Sequence, residues 1–470
     1  MASRAMVIGL DCASPDWVLD RWLDRLPALR SLAARGTAGV LRSCDPPITV
    51  PAWSVMSSSR SPGALGIYGF RNRSDHSYDA LTVADSRAVR VPRVWDHLSD
   101  AGRPVLVLGV PGTWPVTPVN GALVSCFLTP DVDRFHYTHP PELAAEIETL
   151  VGRYMVDVEN FRTADKDRLL AEIETMTDQR FRIAEHLLGT RPWDLFFMVE
   201  IATDRIHHGF WRHTDPDHRL HEPANPWANA MFEYYQRLDA RIGRLLEFAE
   251  DDTAVMVVSD HGAKRMDGGI CVNEWLRREG YLTLLTEPPT PVPLRPEMVD
   301  WDRTVAWGEG GYYCRLCLNV AGREPRGIVP AADYERVRDE LKARLEALGD
   351  ERGCPIGTVA LRPEDLYAEC AGVPPDLLVY FGDLHWRSIG RVGAGCPVHV
   401  YENDTGPDDA NHAQDGMYIL AAPGIAAGRR ERREIRDVAP TILELLGEPV
   451  PAAMEGRSML APAEAAGSAA

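Results

Sequence analysis

Long hydrophobic runs are missing from this chain of 470 residues. No stretch approaches the roughly 20 consecutive apolar residues that cross a bilayer, so no membrane span is expected. The opening segment, MASRAMVIGLD, has only a short apolar run that leads straight into an aspartate. That is not the layout of a secretory leader, and the expected location is cytoplasmic. Positive charge is also scarce. Against 69 Asp and Glu there are 50 Lys and Arg, a formal charge of −19. This balance disfavours a nucleic-acid polymer or an anionic membrane as partner. It leaves room for a small anionic substrate, because bound dications reverse the field locally. The nine cysteines are scattered and odd in number, which argues against a disulfide framework. Cys314 and Cys317 form a lone C-x-x-C inside YYCRLCLNV. That segment reads as a strand, where an offset of three sends the two thiols to opposite faces, so a structural role is expected.

What the chain does contain is alternation of short apolar runs with helical patterns, the mark of an α/β fold with a mostly parallel central sheet flanked by helices. The runs at 5–10, 104–110, 194–200, 253–259, 376–381 and 417–422 are predicted buried strands. Met231, Tyr235, Leu238, Ile242 and Leu245 step by four and three, which predicts a helix over 229–249. Tyr334, Val337, Leu341 and Leu345 do the same for 333–347. A proline-rich stretch at 286–300 marks a surface crossing. The expected organisation is a catalytic core at 1–285 and 396–460, with 286–395 as an inserted smaller α+β segment or cap. Residues 461–470, APAEAAGSAA, read as a disordered tail. No internal repeat is present.

Polar residues gather where the predicted strands end, which is where open α/β sheets bind ligands. Asp11 directly follows AMVIGL; taken alone it reads equally as a turn or capping residue. Thr49 lies in DPPITVPAWSVMSSS, where Pro51 suits the first turn of a helix. A threonine there meets a helix N-terminus that favours an alkoxide or a bound anion. On this segment alone, capping is its more ordinary use. Asp204 and His208, in EIATDRIHHGFW, are spaced to face one ion from a single helical turn, and His207 then points elsewhere. His213, His218 and His221 follow in a polar stretch and read as solvated. Asp260 and His261 end the very apolar run VMVVS and are costly to bury unpaired, which a metal would explain. His412 precedes a strand in DANHAQDGMYILAAPG; a lone histidine there is commonly a surface residue. As a set, three Asp, three His and one Thr supply the ligands of two divalent ions, zinc or manganese.

At these residues the sequence resembles the alkaline-phosphatase superfamily. It is most similar to the type I phosphodiesterase/nucleotide pyrophosphatase branch and its bacterial phosphohydrolase relatives. The similarity runs from VIGLD to RDVAPTILELLGEPVPAAMEGRSML and rests on an ordered set of motifs. They are Asp11, T-x-P at Thr49, D-x-x-x-H at Asp204 and His208, S-D-H-G at 259–262, then His412. The resemblance implies an alkaline-phosphatase-like fold and a phosphoryl hydrolase acting on a phosphodiester or nucleotide-like small molecule. By motif, one ion falls to Asp11, Asp260, His261 and the Thr49 oxygen, the other to Asp204, His208 and His412. Thr49 carries over as nucleophile, through a phosphothreonine intermediate. The chain departs from the pattern at Cys12, where relatives often have Gly. It departs again at Phe70, where nucleotide pyrophosphatases place an Asn. Asn72 lies two residues on, so the oxyanion donor falls to Asn72, Arg71 or backbone N–H groups. A sulfatase would need C/S-x-P-x-R, whereas CDPPI ends in Ile48. A phosphomutase or phosphomonoesterase of the same superfamily is the alternative enzyme. A metal-stabilised binding protein without turnover is the alternative from outside catalysis. Oligomeric state leaves no signature in the sequence.

Overall fold

The computed structural model describes residues 2–428 and 431–460. A nine-stranded sheet organises it. Its strand order is Arg433–Glu434, Thr37–Arg42, Asp415–Ala421, Ala254–Val258, Ala5–Leu10, Leu195–Glu200, Val105–Leu108, Gly121–Val124 and Thr138–His139. The five strands from Ala254–Val258 to Gly121–Val124 run parallel. Asp415–Ala421 is antiparallel to both its neighbours, and Thr138–His139 to its own.

The central strands are apolar throughout because helices cover both faces of the sheet. Met6, Ile8, Phe196, Met198, Val255 and Val257 point into one core. There they meet Leu29, Ile173, Phe181, Phe210, Leu238 and Ile242 from the helices on that side. The alternate residues Val7, Phe197, Val199, Met256 and Val258 enter the opposite core, with Trp53, Met56, Trp95, Leu98 and Ile442. This two-residue alternation is strand periodicity expressed as two cores. The helix predicted at 229–249 forms as Ala230–Leu245, with its stepped residues buried. The helix predicted at 333–347 forms as Tyr334–Glu346.

Gly9 ties the sheet to the helix Thr49–Ser58. A Cβ at Gly9 would lie 2.5 Å from the Trp53 ring and 2.8 Å from Val199. Overpacking of this kind costs about 1–3 kcal/mol. The glycine therefore lets Trp53 lie against the strand and reach Asp11.

A smaller layer holds an antiparallel sheet in the order Ala306–Glu309, Cys314–Leu318, Leu377–Tyr380, Val359–Leu361. Its apolar cluster includes Ile270, Trp275, Leu282, Trp307, Leu341, Leu377 and Trp386, with Tyr401 packed against it. It is thus continuous with chain on both sides of 286–395. Cys314 and Cys317 are both buried in that cluster as apolar fill, and neither is in a disulfide. Among the described residues, no helix is long and apolar enough to cross a membrane. Residues 461–470 lie outside the described residues.

Candidate active site

Three adjacent parallel strands end level with one another, with Leu10 beside Glu200 and Gly9 beside Val258. Just beyond these ends the chain supplies Asp11, Asp204 in the first turn of the helix Ala202–Thr214, and the pair Asp260 and His261. His412 arrives from the short strand Ala410–Ala413, which pairs with Gly262–Arg265 and sets His412 opposite Ala263. Thr49 is the first residue of the helix Thr49–Ser58. The capping position belongs to Ile48, and no side chain caps the helix. The ordinary use of a threonine there, as a cap, is therefore not its use here. Its Oγ1 instead lies 3.3 Å from His261 Nε2.

The seven residues singled out in sequence, Asp11, Thr49, Asp204, His208, Asp260, His261 and His412, form one buried cluster. Each imidazole is fixed from behind. His208 Nδ1 lies 2.6 Å from Asp408 Oδ1, His261 Nδ1 3.0 Å from the Gly262 carbonyl, and His412 Nδ1 2.9 Å from the Pro47 carbonyl. These oxygens only accept, so each Nδ1 carries a proton, and on a neutral ring the Nε2 facing the cluster is a lone pair. His208 Nε2 is 3.2 Å from Asp204 Oδ1, and His412 Nε2 is 3.6 Å from the same oxygen. His261 Nε2 is 3.1 Å from Asp260 Oδ2 and 3.7 Å from Asp11 Oδ1. Those three carboxylate oxygens are buried without a hydrogen-bond partner. The second oxygen of each carboxylate is held. Trp53 Nε1 donates to Asp11 Oδ2 at 2.7 Å, the Cys12 N–H to Asp260 Oδ1 at 3.2 Å, and Arg205 to Asp204 Oδ2.

Buried imidazole nitrogens and carboxylate oxygens turned toward one another, the carboxylate oxygens without other partners, are the donor set of a cation site. Donor atoms of Cys12, Asp204, His208 and His412 lie within 4.8 Å of one another, as do those of Asp11, Asp204 and His261. The residues present therefore fit divalent metal. Electrostatics agrees. Burial, then the charge of Asp204, raises the Asp11 carboxyl well above its ordinary range. Burial, then Asp11, does the same to Asp260. Burial also opposes charge on Asp204, but His208 and Arg205 outweigh it and hold that carboxyl low. Without a cation, these carboxylates cannot all be charged at low cost.

Several participants carry no sequence signal of their own. Asp408 receives His208 Nδ1, Arg162 Nε at 2.7 Å and Arg387 Nη1 at 2.5 Å. Tyr312 stacks on His412 with ring centroids 4.0 Å apart. Only the acid pair just ahead of His412, in DDANH, hinted at Asp408. His207 faces away as expected, stacked on Tyr235. His213 and His218 differ from expectation: both are buried, His213 edge-on to Trp227 and His218 Nδ1 accepting from the Leu220 N–H. A polar stretch that folds over a helix end buries its rings even where neighbouring residues stay wet. Asn72 is not brought to the cluster by any bond it makes. Its Oδ1 accepts from the Tyr68 N–H at 2.7 Å and its Nδ2 donates to the Gly69 carbonyl at 3.0 Å, so the amide braces its own turn.

A buried Asp–His cluster beyond the carboxyl edge of a mostly parallel sheet is shared by α/β enzymes of the alkaline-phosphatase superfamily, to which the family match assigns this chain. More narrowly, the chain belongs to the type I phosphodiesterase/nucleotide pyrophosphatase family, whose model matches residues 5–408. It is a hydrolytic enzyme of that family. Similar solved structures include human ectonucleotide pyrophosphatase/phosphodiesterase 5, with a TM-score of 0.53 and 13% identity, covering 95% of this chain and 96% of that one. The murine protein of the same name gives 0.55 and 13% over 95% and 96%. An inactive variant of that murine protein in complex with AMP gives 0.55 and 13% over 96% of each chain. At this identity the likeness is one of fold. No curated protein matches the sequence.

Proposed function

We propose that this enzyme cleaves a phosphodiester or substituted phosphate ester in two displacements at Thr49, at a centre holding two divalent cations, zinc or manganese. The observation that carries this reading is the convergence of three imidazole Nε2 atoms and three unpartnered carboxylate oxygens beside Thr49. Asp11, Asp260, His261 and Thr49 Oγ1 would hold one cation, and Asp204, His208 and His412 the other, with the Cys12 thiol in reach of the second. Cations there would supply Lewis acidity, easing loss of a hydroxyl proton and neutralising phosphoryl oxygens.

The side chains do the rest. Thr49 Oγ1 attacks phosphorus in line, its proton passing to solvent as the Oγ1–P bond forms. The bond from phosphorus to the leaving alcohol breaks, and the alkoxide takes up a proton from solvent. Water then attacks the phosphothreonine, the Oγ1–P bond breaks, and the hydroxyl is restored. The helix N-terminus at Thr49 favours the anion throughout. Trp53 and Arg205 keep one oxygen of Asp11 and Asp204 turned inward.

Simple monoesters carry an extra anionic oxygen that needs its own partner. Of the three arginines that follow Thr49 in sequence, Arg60 is taken by Glu455 at 3.2 Å and Arg73 by Glu324 at 3.3 Å, and Arg71 lines a neighbouring cavity with Arg315 and Arg387. The expected result is therefore a higher kcat/KM for bis(p-nitrophenyl) phosphate than for p-nitrophenyl phosphate on one metal-loaded preparation. A monoester favoured by more than about tenfold, or roughly 1.4 kcal/mol, rejects the diesterase reading.

Asp408 tests the support behind the ligands. Asp408→Asn keeps an acceptor for His208 but removes the charge facing three cationic groups. Metal affinity, measured by competition with a chromogenic chelator, is expected to fall by about 10- to 100-fold with the circular dichroism unchanged. Unaltered affinity would show that Asp408 does not position His208.

A further inference from the structure

A cavity of about 450 Å³ opens beside the cluster, and its wall is basic in a chain that is acidic overall. Arg71, Arg162, Arg315 and Arg387 line it, together with Tyr312. Tyr312 joins the cavity to the active site, because its ring stacks on His412 and its hydroxyl accepts from Arg162 Nη2 at 2.9 Å. The guanidinium of Arg387 sits 4.7 Å from the centroid of the same ring.

The local carboxylates do not balance these cations. Arg162 and Arg387 share a single oxygen of Asp408, whose other oxygen is occupied by His208. Arg315 pairs with Glu309 at 2.9 Å. Arg71 is exposed and makes no ion pair among the described residues. Four guanidiniums thus face two carboxylates. Arg387 is only 6% exposed, and its Nε is buried without a hydrogen-bond partner. Arg387 is thus buried with one N–H group unmatched, and Arg71 stands unpaired at the exposed edge, an arrangement that favours an oxyanion accepting from both.

We propose that this cavity binds a second anionic group, a phosphate or a carboxylate, carried on the organic part of the substrate. The inference rests on the phosphoester reading above and narrows it. The substrate is a phosphate ester with one phosphoryl group at Thr49 and a separate anion held by Arg71, Arg315 and Arg387. Phe70 and Leu81 in the same wall would take the carbon skeleton between them.

The test is calorimetric titration of the metal-loaded protein with alkylphosphonates of graded length, beside their ω-carboxy and ω-phosphono counterparts. The phosphonate end is common to all, so only the far terminus varies. At some length the charged terminus is expected to tighten binding by about tenfold or more over the methyl terminus. That gain is expected to shrink by a similar factor in Arg71→Ala, at an exposed position, and in Arg315→Gln, which keeps a side-chain donor, with circular dichroism checking that both variants fold. The larger gain, with carboxylate or with phosphonate, identifies which anion the cavity prefers. No gain at any length, or a gain untouched by both variants, overturns the proposal. Turnover of bis(p-nitrophenyl) phosphate separates the two readings. A gain without turnover upholds the cavity and removes the phosphodiester reading at Thr49, and turnover without a gain does the reverse.

Discussion

Thr49→Ala is expected to lower kcat by about 10³-fold or more, a loss of roughly 4 kcal/mol in transition-state stabilisation, while leaving the fold and most metal binding intact. The loss is large because the residue is the attacking group, not a contributor to uniform binding. The fold should hold because Ile48, not Thr49, occupies the capping position of its helix, and no side-chain cap is lost. The Thr49 methyl is small, and the neighbours that define the site, Trp53 and His261, keep their own partners. Acid quenching during turnover, followed by mass spectrometry, is expected to find phosphate on the peptide that contains Thr49. Near-normal kcat in the alanine variant would make this threonine a structural residue and remove the covalent route.

Metal removal is the second large effect. Protein never exposed to chelator is expected to carry close to two divalent ions, zinc or manganese, by elemental analysis. Exhaustive treatment with EDTA is expected to abolish turnover and lower the melting temperature by several degrees. Metal bound at about 100 times its Kd adds about 2.7 kcal/mol to stability. In a chain of this size each kcal/mol moves the melting point by about 2–4 °C or somewhat less. The stripped centre is left with Asp11, Asp204 and Asp260 oxygens that lack partners. Asp260→Ala and His412→Ala are each expected to weaken metal retention along with activity. Absence of metal, with activity indifferent to EDTA, would sink the two-cation reading.

The apolar runs AMVIGL, DLFFMVE and TAVMVVS were legible because a strand buried on both faces must be apolar at every position. Asp11, Asp204, Asp260 and His261 were legible because charge at the end of such a run has few inexpensive uses. The T-x-P at Thr49 and the lone His412 were weaker signals, and only their order along the chain made them a set. The smaller layer was read at 286–395, yet its apolar cluster takes in Ile270, Trp275 and Leu282. These belong to a short strand and helix whose sequence looks like a continuation of the core.

The local sequence thus showed buried strands and, at or just past their ends, Asp11, Asp204, Asp260 and His261, because strand period and burial are local properties. Tertiary structure alone decided what stands behind them. His208 meets Asp408 across 200 residues, Thr49 meets His261 across 212, and His412 meets the Pro47 carbonyl across 365. No periodicity spans such distances. Those pairings follow from the strand order and from the loops it brings together beyond the strand ends, which are consequences of packing the whole chain. The arginine-lined cavity has the same origin, since Arg71, Arg162, Arg315 and Arg387 come from four separate segments that only the folded sheet and its smaller layer bring to one wall.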